Sequence, residues 1–160
     1  MAKTKHLNRE EFLKVVEHTP LVSIDLIVYN LDGKVLVGLR KNRPAQNTWF
    51  VPGGKFLKNE RIADAMCRIS KVELGVEISA LQAHFKGVYE HLYPDNFADA
   101  PGISTHYIVL AYEIHMTSTI IEPPPEQHSE YCWLTPQEIL DNPAIHENTK
   151  AYFKPVPTEK

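Results

Sequence analysis

The segment from Gly53 to Val76, GGKFLKNERIADAMCRISKVELGV, constrains this chain more than any other. A strand cannot run on through Pro52 and two glycines, so the WFV run before them must end there. Beyond a polar loop, Ile62, Met66 and Ile69, with Ala65 and Val72 nearby, give an apolar stripe at helical spacing between Glu60 and Leu74. Gly75 stands where a helix C-cap glycine belongs, so strand, glycine turn and helix form one unit. Glu60 and Arg68 lie on roughly one side of that helix and read as an ion pair bracing the loop. Glu73 is a different matter. Carboxylates three and four residues apart on a helix stack on one face and suit a hard divalent cation, but the neighbouring places hold Ile69 and Val72. A cation held by Glu73 would therefore have to draw its other oxygens from the Gly53-Gly54 backbone, another loop and water. Such a site suits one ion rather than a cluster of two or three.

At 160 residues and 43% hydrophobic composition, the chain has the size of one domain over 1–160 with a substantial core. A net charge of -3 with both signs interspersed offers no basic face to nucleic acid, and no apolar run is long enough to cross a bilayer. A small-molecule partner is the expectation. The opening MAKTKHLNREEF has no apolar leader, and Cys67 and Cys132 show neither metal spacing nor a disulfide framework. Both features point to the cytoplasm and to cysteines that only pack.

Elsewhere, Asn8 and Glu11 have capping-box spacing ahead of Phe12, Val15 and Val16, which predicts a short helix to about His18, ended by Pro20. LVSIDLIVYN and KVLVGLR, joined by Asp32-Gly33, read as a hairpin. Strands are expected around Leu81 to Leu92 and His106 to His115, and again at YCWL, which three successive prolines precede in extended form. Thr135, Pro136 and Glu138 make another capping box, and a last helix is expected from about His146 to Phe153. Strands on both sides of one helix, with further helices outside, argue an α/β/α sandwich around a mixed β-sheet.

The Gly53–Val76 segment resembles the Nudix box, G-x5-E-x7-R-E-U-x-E-E-x-G-U with U aliphatic. Gly54, Glu60, Arg68, Glu73, Gly75 and Val76 fall on its frame, while Ile69 and Val72 replace two glutamates and Ser70 an aliphatic residue. TPLVSIDLIV, NRPAQ ahead of WFVPGG, STHYIVL and PEQHSEYCWL together resemble the GDP-mannose mannosyl hydrolases, an atypical Nudix branch that shares that loss. The resemblance implies a Nudix fold and a homodimer with one Mg2+ or Mn2+ per subunit, hydrolysing GDP-mannose or GDP-glucose to GDP and free sugar. Water attacks carbon 1 with inversion. It further implies metal ligands at the Gly53 carbonyl, Glu73 and Gln127, a general base at His128, a charge-stabilising Asp25, diphosphate contacts at Arg40 and Tyr107, and a substrate contact at His91. Lys55 stands where the family has arginine, keeping charge but losing the planar fork. His6, Leu7 and Phe12 match nucleotide-contacting positions, supplied from either subunit.

Each of these residues also has a plainer reading. An unpaired carboxylate such as Asp25 in an apolar strand is costly to bury, so it is paired with arginine or used. His18, His84, His115 and His146 read as surface or packing residues, His106 as ambiguous, and Trp49 and Trp133 as packing. Two other functions fit the residues: a conventional Nudix pyrophosphatase attacking phosphorus of a nucleoside diphosphate derivative, and a nucleotide-sugar sensor without turnover.

Overall fold

The computed structural model describes residues 6–117, 121, 123–126 and 128–155. Helix α1 (Arg9–His18) opens on the expected capping box, Asn8 accepting from the Glu11 amide at 2.9 Å and Glu11 accepting from the Asn8 amide at 3.1 Å. β1 (Leu21–Tyr29), β2 (Val35–Arg40), β3 (Trp49–Phe50), β4 (Gly53–Lys55), β5 (Ala83–Tyr93), β6 (Thr105–His115) and β7 (His128–Leu134) build one mixed sheet. Its path is β3-β2-β1-β6-β5, with β4 added to β1 and β7 to β2, and β1 with β6 is a parallel pair. Among the described residues, no helix is long and apolar enough to cross a membrane.

The alternation of side chains along β1 sets the layers. Ile24, Leu26 and Val28 face α2 (Ile62–Leu74) and pack with Ala65, Met66, Ile69 and Leu74. On the opposite face Ile27 packs with Val35, Val37, Val51, Ile139 and Tyr152, beneath α3 (Pro136–Asp141) and α4 (Glu147–Lys150). Asp25, two residues before Ile27, shares that second face.

Four expectations are corrected. β1 and β2 form a hairpin only at its base, registered at Tyr29 with Val35; beyond it β2 turns to β3 and β7, while β1 takes β4. Pro52 ends β3, but the two glycines do not end extended structure, because they run antiparallel to β1 as β4, with Gly53 opposite Asp25. The α2 stripe is also rotated. Ile62 and Val72 are exposed, and the buried face is Ala65, Met66, Ile69, Ser70, Glu73 and Leu74. Ser70 earns its place there by accepting from the Ile78 amide at 2.8 Å, which fastens the chain leaving the helix. The last helix is shorter than expected, ending at Lys150 before a turn that carries Tyr152.

Candidate active site

The wedge where β4 separates β1 from β2 becomes a cleft of about 140 Å³. It collects Asp25 from β1, Arg40 from the end of β2, Gly53 and Lys55 from β4, Glu73 from α2, His91 from β5, Tyr107 from β6 and His128 from β7. Gln127 lies outside the described residues. His6, Leu7 and Phe12 line a second, more apolar cavity of about 440 Å³ beside β1, and Lys55 borders both. Lys55 also lies 4.7 Å from the Phe12 ring centroid.

Close backbone approach explains two glycines. A Cβ on Gly53 would sit 2.3 Å from Asp25 Oδ1, so only glycine lets β4 lie against that carboxylate. A Cβ on Gly38 would sit 2.6 Å from His128 Cγ, so the imidazole rests on bare β2 backbone. The expected brace is present: Arg68 Nε donates to Glu60 Oε1 at 2.6 Å, and its Nη2 donates to the Lys55 carbonyl at 2.8 Å. This fork ties the loop before α2 to β4.

Burial dominates the electrostatics. It pushes Asp25 up to about 6, against the pull of the Tyr152 hydrogen bond and Arg40. It pushes Glu73 up to about 7, with Arg40 opposing, Asp25 reinforcing and a Gly53 backbone hydrogen bond opposing. Burial lowers His128 to about 4, helped by Arg40 and Lys41, and lowers His91 to about 4, helped by His146 and Arg40. Both imidazoles are therefore neutral at neutral pH. Arg40, held 5.2 Å from the Phe50 ring centroid, acts on every one of these groups.

His128 is buried as the first residue of β7. Its Nδ1 lies 3.3 Å from the Tyr131 hydroxyl and 3.9 Å from Glu73 Oε2. Tyr131 donates its one proton to the Pro124 carbonyl at 2.9 Å, so toward His128 it can only accept. With Glu73 ionised, both neighbours of Nδ1 are acceptors; the proton then belongs on Nδ1 and Nε2 keeps a free lone pair. Lys41, donating to the Pro125 carbonyl, anchors the segment before β7.

A metal ion fits this donor set sparsely. Glu73 and Asp25 are buried carboxylates, and burial together with Asp25 raises the cost of ionising Glu73, which a hard cation would relieve. Among the described residues, no three His, Cys, Asp or Glu side chains stand close enough to hold a metal by themselves. Backbone, amide or substrate oxygens would have to complete the shell.

Asp25 is paired with a tyrosine rather than an arginine: Tyr152 donates to Oδ2 at 2.5 Å. Neither Tyr152 nor Tyr131 was singled out by sequence, because a tyrosine in an apolar segment carries no spacing signal. His146 caps α4, accepting from the Asn148 amide at 3.1 Å, and stacks on Phe50 at 4.6 Å. His106 has its Nε2 buried without a partner among the described residues. Trp49 and Trp133 pack against opposite core clusters, and Cys67 and Cys132 are free and half-buried.

Comparison with known proteins agrees with this frame. The profile of the NUDIX domain matches residues 19–155. The low-salt glycan biosynthesis protein Agl8 of Haloferax volcanii is 38% identical over 128 residues, covering 79% of this chain and 78% of that protein. The crystal structure of a MutT NUDIX hydrolase from Burkholderia pseudomallei is similar with a TM-score of 0.67 and 26% identity, covering 85% of this chain and 97% of that one. The MutT protein of Methanosarcina mazei Go1, 18% identical, shares the fold with a TM-score of 0.68 over 85% of this chain and 92% of its own.

Proposed function

The chain belongs to the Nudix family, and on that premise we propose that it hydrolyses GDP-mannose, and GDP-glucose, to GDP and free sugar by water attack at carbon 1 with inversion. One observation carries the reading: α2 turns a single carboxylate, Glu73, toward the cleft. Ile69 is 1% exposed and packs beneath Gly54, and Val72 is 47% exposed, so neither position supplies a ligand. Attack at phosphorus in this family often uses a cluster of two or three metal ions, for which one helix carboxylate is a sparse support. The cleft instead gathers a neutral imidazole, a carboxylate and cations, the parts an inverting displacement at a sugar carbon needs. The haloarchaeal relative's name ties it to glycan biosynthesis, which sits with a sugar-bearing substrate.

In this mechanism His128 Nε2 takes a proton from water as the water oxygen bonds to carbon 1. Its Nδ1–H, directed at Tyr131 and Glu73, steadies the imidazolium that forms. Asp25 faces the positive charge developing on the sugar ring. The bond between carbon 1 and oxygen breaks with its electron pair passing to the β-phosphate, and the proton on His128 is later released to solvent. Arg40, Lys55 and Tyr107 hold the departing diphosphate, and His91 contacts the sugar. The bound diphosphate also offsets Arg40 and Lys41, the cations that depress His128, and so moves the base toward working pH. Glu73, the Gly53 carbonyl and Gln127 would hold one Mg2+ or Mn2+, whose charge would offset that of the diphosphate. The nucleoside occupies the cavity lined by His6, Leu7 and Phe12, with Lys55 between the two sites. The enzyme works as a single domain over 1–160, as a homodimer and in the cytoplasm.

Hydrolysis of GDP-mannose with Mg2+ in oxygen-18 water tests this reading. Label on free mannose and none on GDP supports attack at carbon 1. Label on GMP or mannose 1-phosphate, or on GDP released with free mannose, moves the attack to phosphorus and overturns it.

A further inference from the structure

Tyr152 lies behind the cleft rather than in its lining. The segment that carries it is sewn to β3: the Trp49 amide donates to the Ala144 carbonyl at 3.2 Å and the His146 amide to the Trp49 carbonyl at 3.1 Å. One step further, the Val51 amide donates to Thr149 Oγ1 at 3.3 Å. The Tyr152 ring is 2% exposed and meets the Tyr89 ring edge-on at 4.6 Å. A phenylalanine would fill that space equally well, so packing does not account for the hydroxyl.

The hydroxyl instead touches two cleft residues from behind, Asp25 Oδ2 at 2.5 Å and His91 Nε2 at 3.2 Å. A phenol carries one proton, and the short contact to a carboxylate claims it. Toward His91 the same oxygen can only accept. His91 is neutral at neutral pH, so it has one N–H to give, and that N–H must be on Nε2. Nδ1 is left as the ring's acceptor, the form that takes a hydrogen bond from a sugar hydroxyl.

We propose that Tyr152 is a positioning residue, whose hydroxyl fixes the Nε2–H tautomer of His91 and the orientation of the Asp25 carboxylate through one hydrogen-bonded chain. The proposal rests on the reading that Asp25 and His91 face the sugar, and it extends the site to a residue of the C-terminal segment that substrate never meets. The chain is directional, from imidazole to phenol to carboxylate. Losing the middle member therefore frees both ends at once.

The test is long-range proton–nitrogen NMR on protein labelled with nitrogen-15 histidine, with His91 assigned by its loss in His91→Gln. In the wild type, His91 should be protonated on Nε2 and bare on Nδ1. In Tyr152→Phe it should drift to a mixture of tautomers in a protein that keeps its fold by circular dichroism, at a lowered melting temperature because Asp25 loses its buried partner. Turnover of GDP-mannose should fall ~10-fold to ~100-fold with KM little changed, as expected when groups lose their alignment rather than their contacts. Asp25→Ala gives a second handle, since it frees the tyrosine proton for Nε2 and should switch His91 to the Nδ1–H form. An Nδ1–H wild type, an unaltered tautomer in both variants, or unaltered turnover in Tyr152→Phe would overturn the proposal. The tautomer is read without substrate, so a protein that leaves GDP-mannose intact sinks the proposed function and leaves this assignment standing.

Discussion

The two sides of the sheet that meet at the cleft are built differently. On one side β1 and β6 stay in register along the whole of β1, from Leu21 with Tyr107 to Tyr29 with His115, and deliver Asp25 and Tyr107 from a continuous ladder. On the other, β2 slips register against β7 between Gly38 and Arg40, at the place that presents Arg40 and His128. The ladder holds its groups through many shared backbone bonds. The irregular side holds His128 through a few local devices: the missing Cβ of Gly38, the Tyr131 hydroxyl and the Lys41 tie to Pro125. Damage to the ladder should therefore cost stability, and damage to the irregular side should cost turnover.

The sharpest way to break this contrast is His128→Ala. Turnover should fall by ~10²-fold to ~10⁴-fold, the range for a general base, with KM changed little. Turnover near that of the wild type removes the base from the irregular side altogether. Next comes a matched pair. Gly38→Ala pushes a methyl group against the imidazole and should lower turnover ~30-fold or more, at a stability cost of about 1–3 kcal/mol. Ile114→Ala empties a buried position on β6 and should cost about 2–5 kcal/mol while turnover at a permissive temperature stays within a few-fold. Equal losses of turnover in the two variants would erase the distinction.

Glu73 gives a smaller, pH-dependent effect. Its folded value of about 7 lies above the ordinary 4.5, so its contribution to stability is full below pH 4.5 and is lost as pH rises through 7. His128 and His91, at about 4 against 6.5, run the other way: their contribution is present above 6.5 and is lost as pH falls through 4. In metal-free protein the trends oppose each other, and Glu73→Gln removes the first. By denaturant titration in chelator, the variant should gain on the wild type from about pH 5 to about pH 8, by roughly 2 kcal/mol. Magnesium should then stabilise the wild type and leave the variant unmoved. The smallest effect is expected from Lys55→Arg, which restores the planar fork beside an existing charge and should change turnover by no more than ~3-fold. A much larger gain would make Lys55 the limiting group for departure of the diphosphate.

Much of the fold is legible in local chemistry. Asn8 with Glu11 and Thr135 with Glu138 name two helix starts, Gly75 a helix end, and the β-branched runs the strands, because each signal acts within a few residues. What could not be read depends on distant partners. The glycines of β4 look like a terminator until β1 provides the opposite edge, and the phase of α2 is set by Ile69 meeting Gly54 rather than by the most regular apolar spacing. In the site, Asp25 announces itself as a carboxylate in an apolar strand. His91, Tyr107 and His128 have no such contrast with their neighbours and enter only through resemblance. Tyr152 enters through neither, since its partner Asp25 is 127 residues away in sequence.

The turn from Asn30 to Lys34 carries more than its place on the surface suggests. It closes on itself through the Asn30 side chain, which accepts from the Asp32 and Lys34 amides at 3.0 Å each, and the two sides of the cleft open from the single registered pair beside it. Geometrically this is the pivot of a pair of shears. From Tyr29 to Asp25 the strand runs ~13 Å, so a rotation of ~5° at the pivot moves the blades by ~1 Å at the cleft, where the proposed reaction needs water, imidazole and sugar carbon in line. An error of ~1 Å there is worth about 100-fold in rate. Asn30, which lies outside the lining of the cleft, thereby sets the tolerance to which the cutting edge is ground.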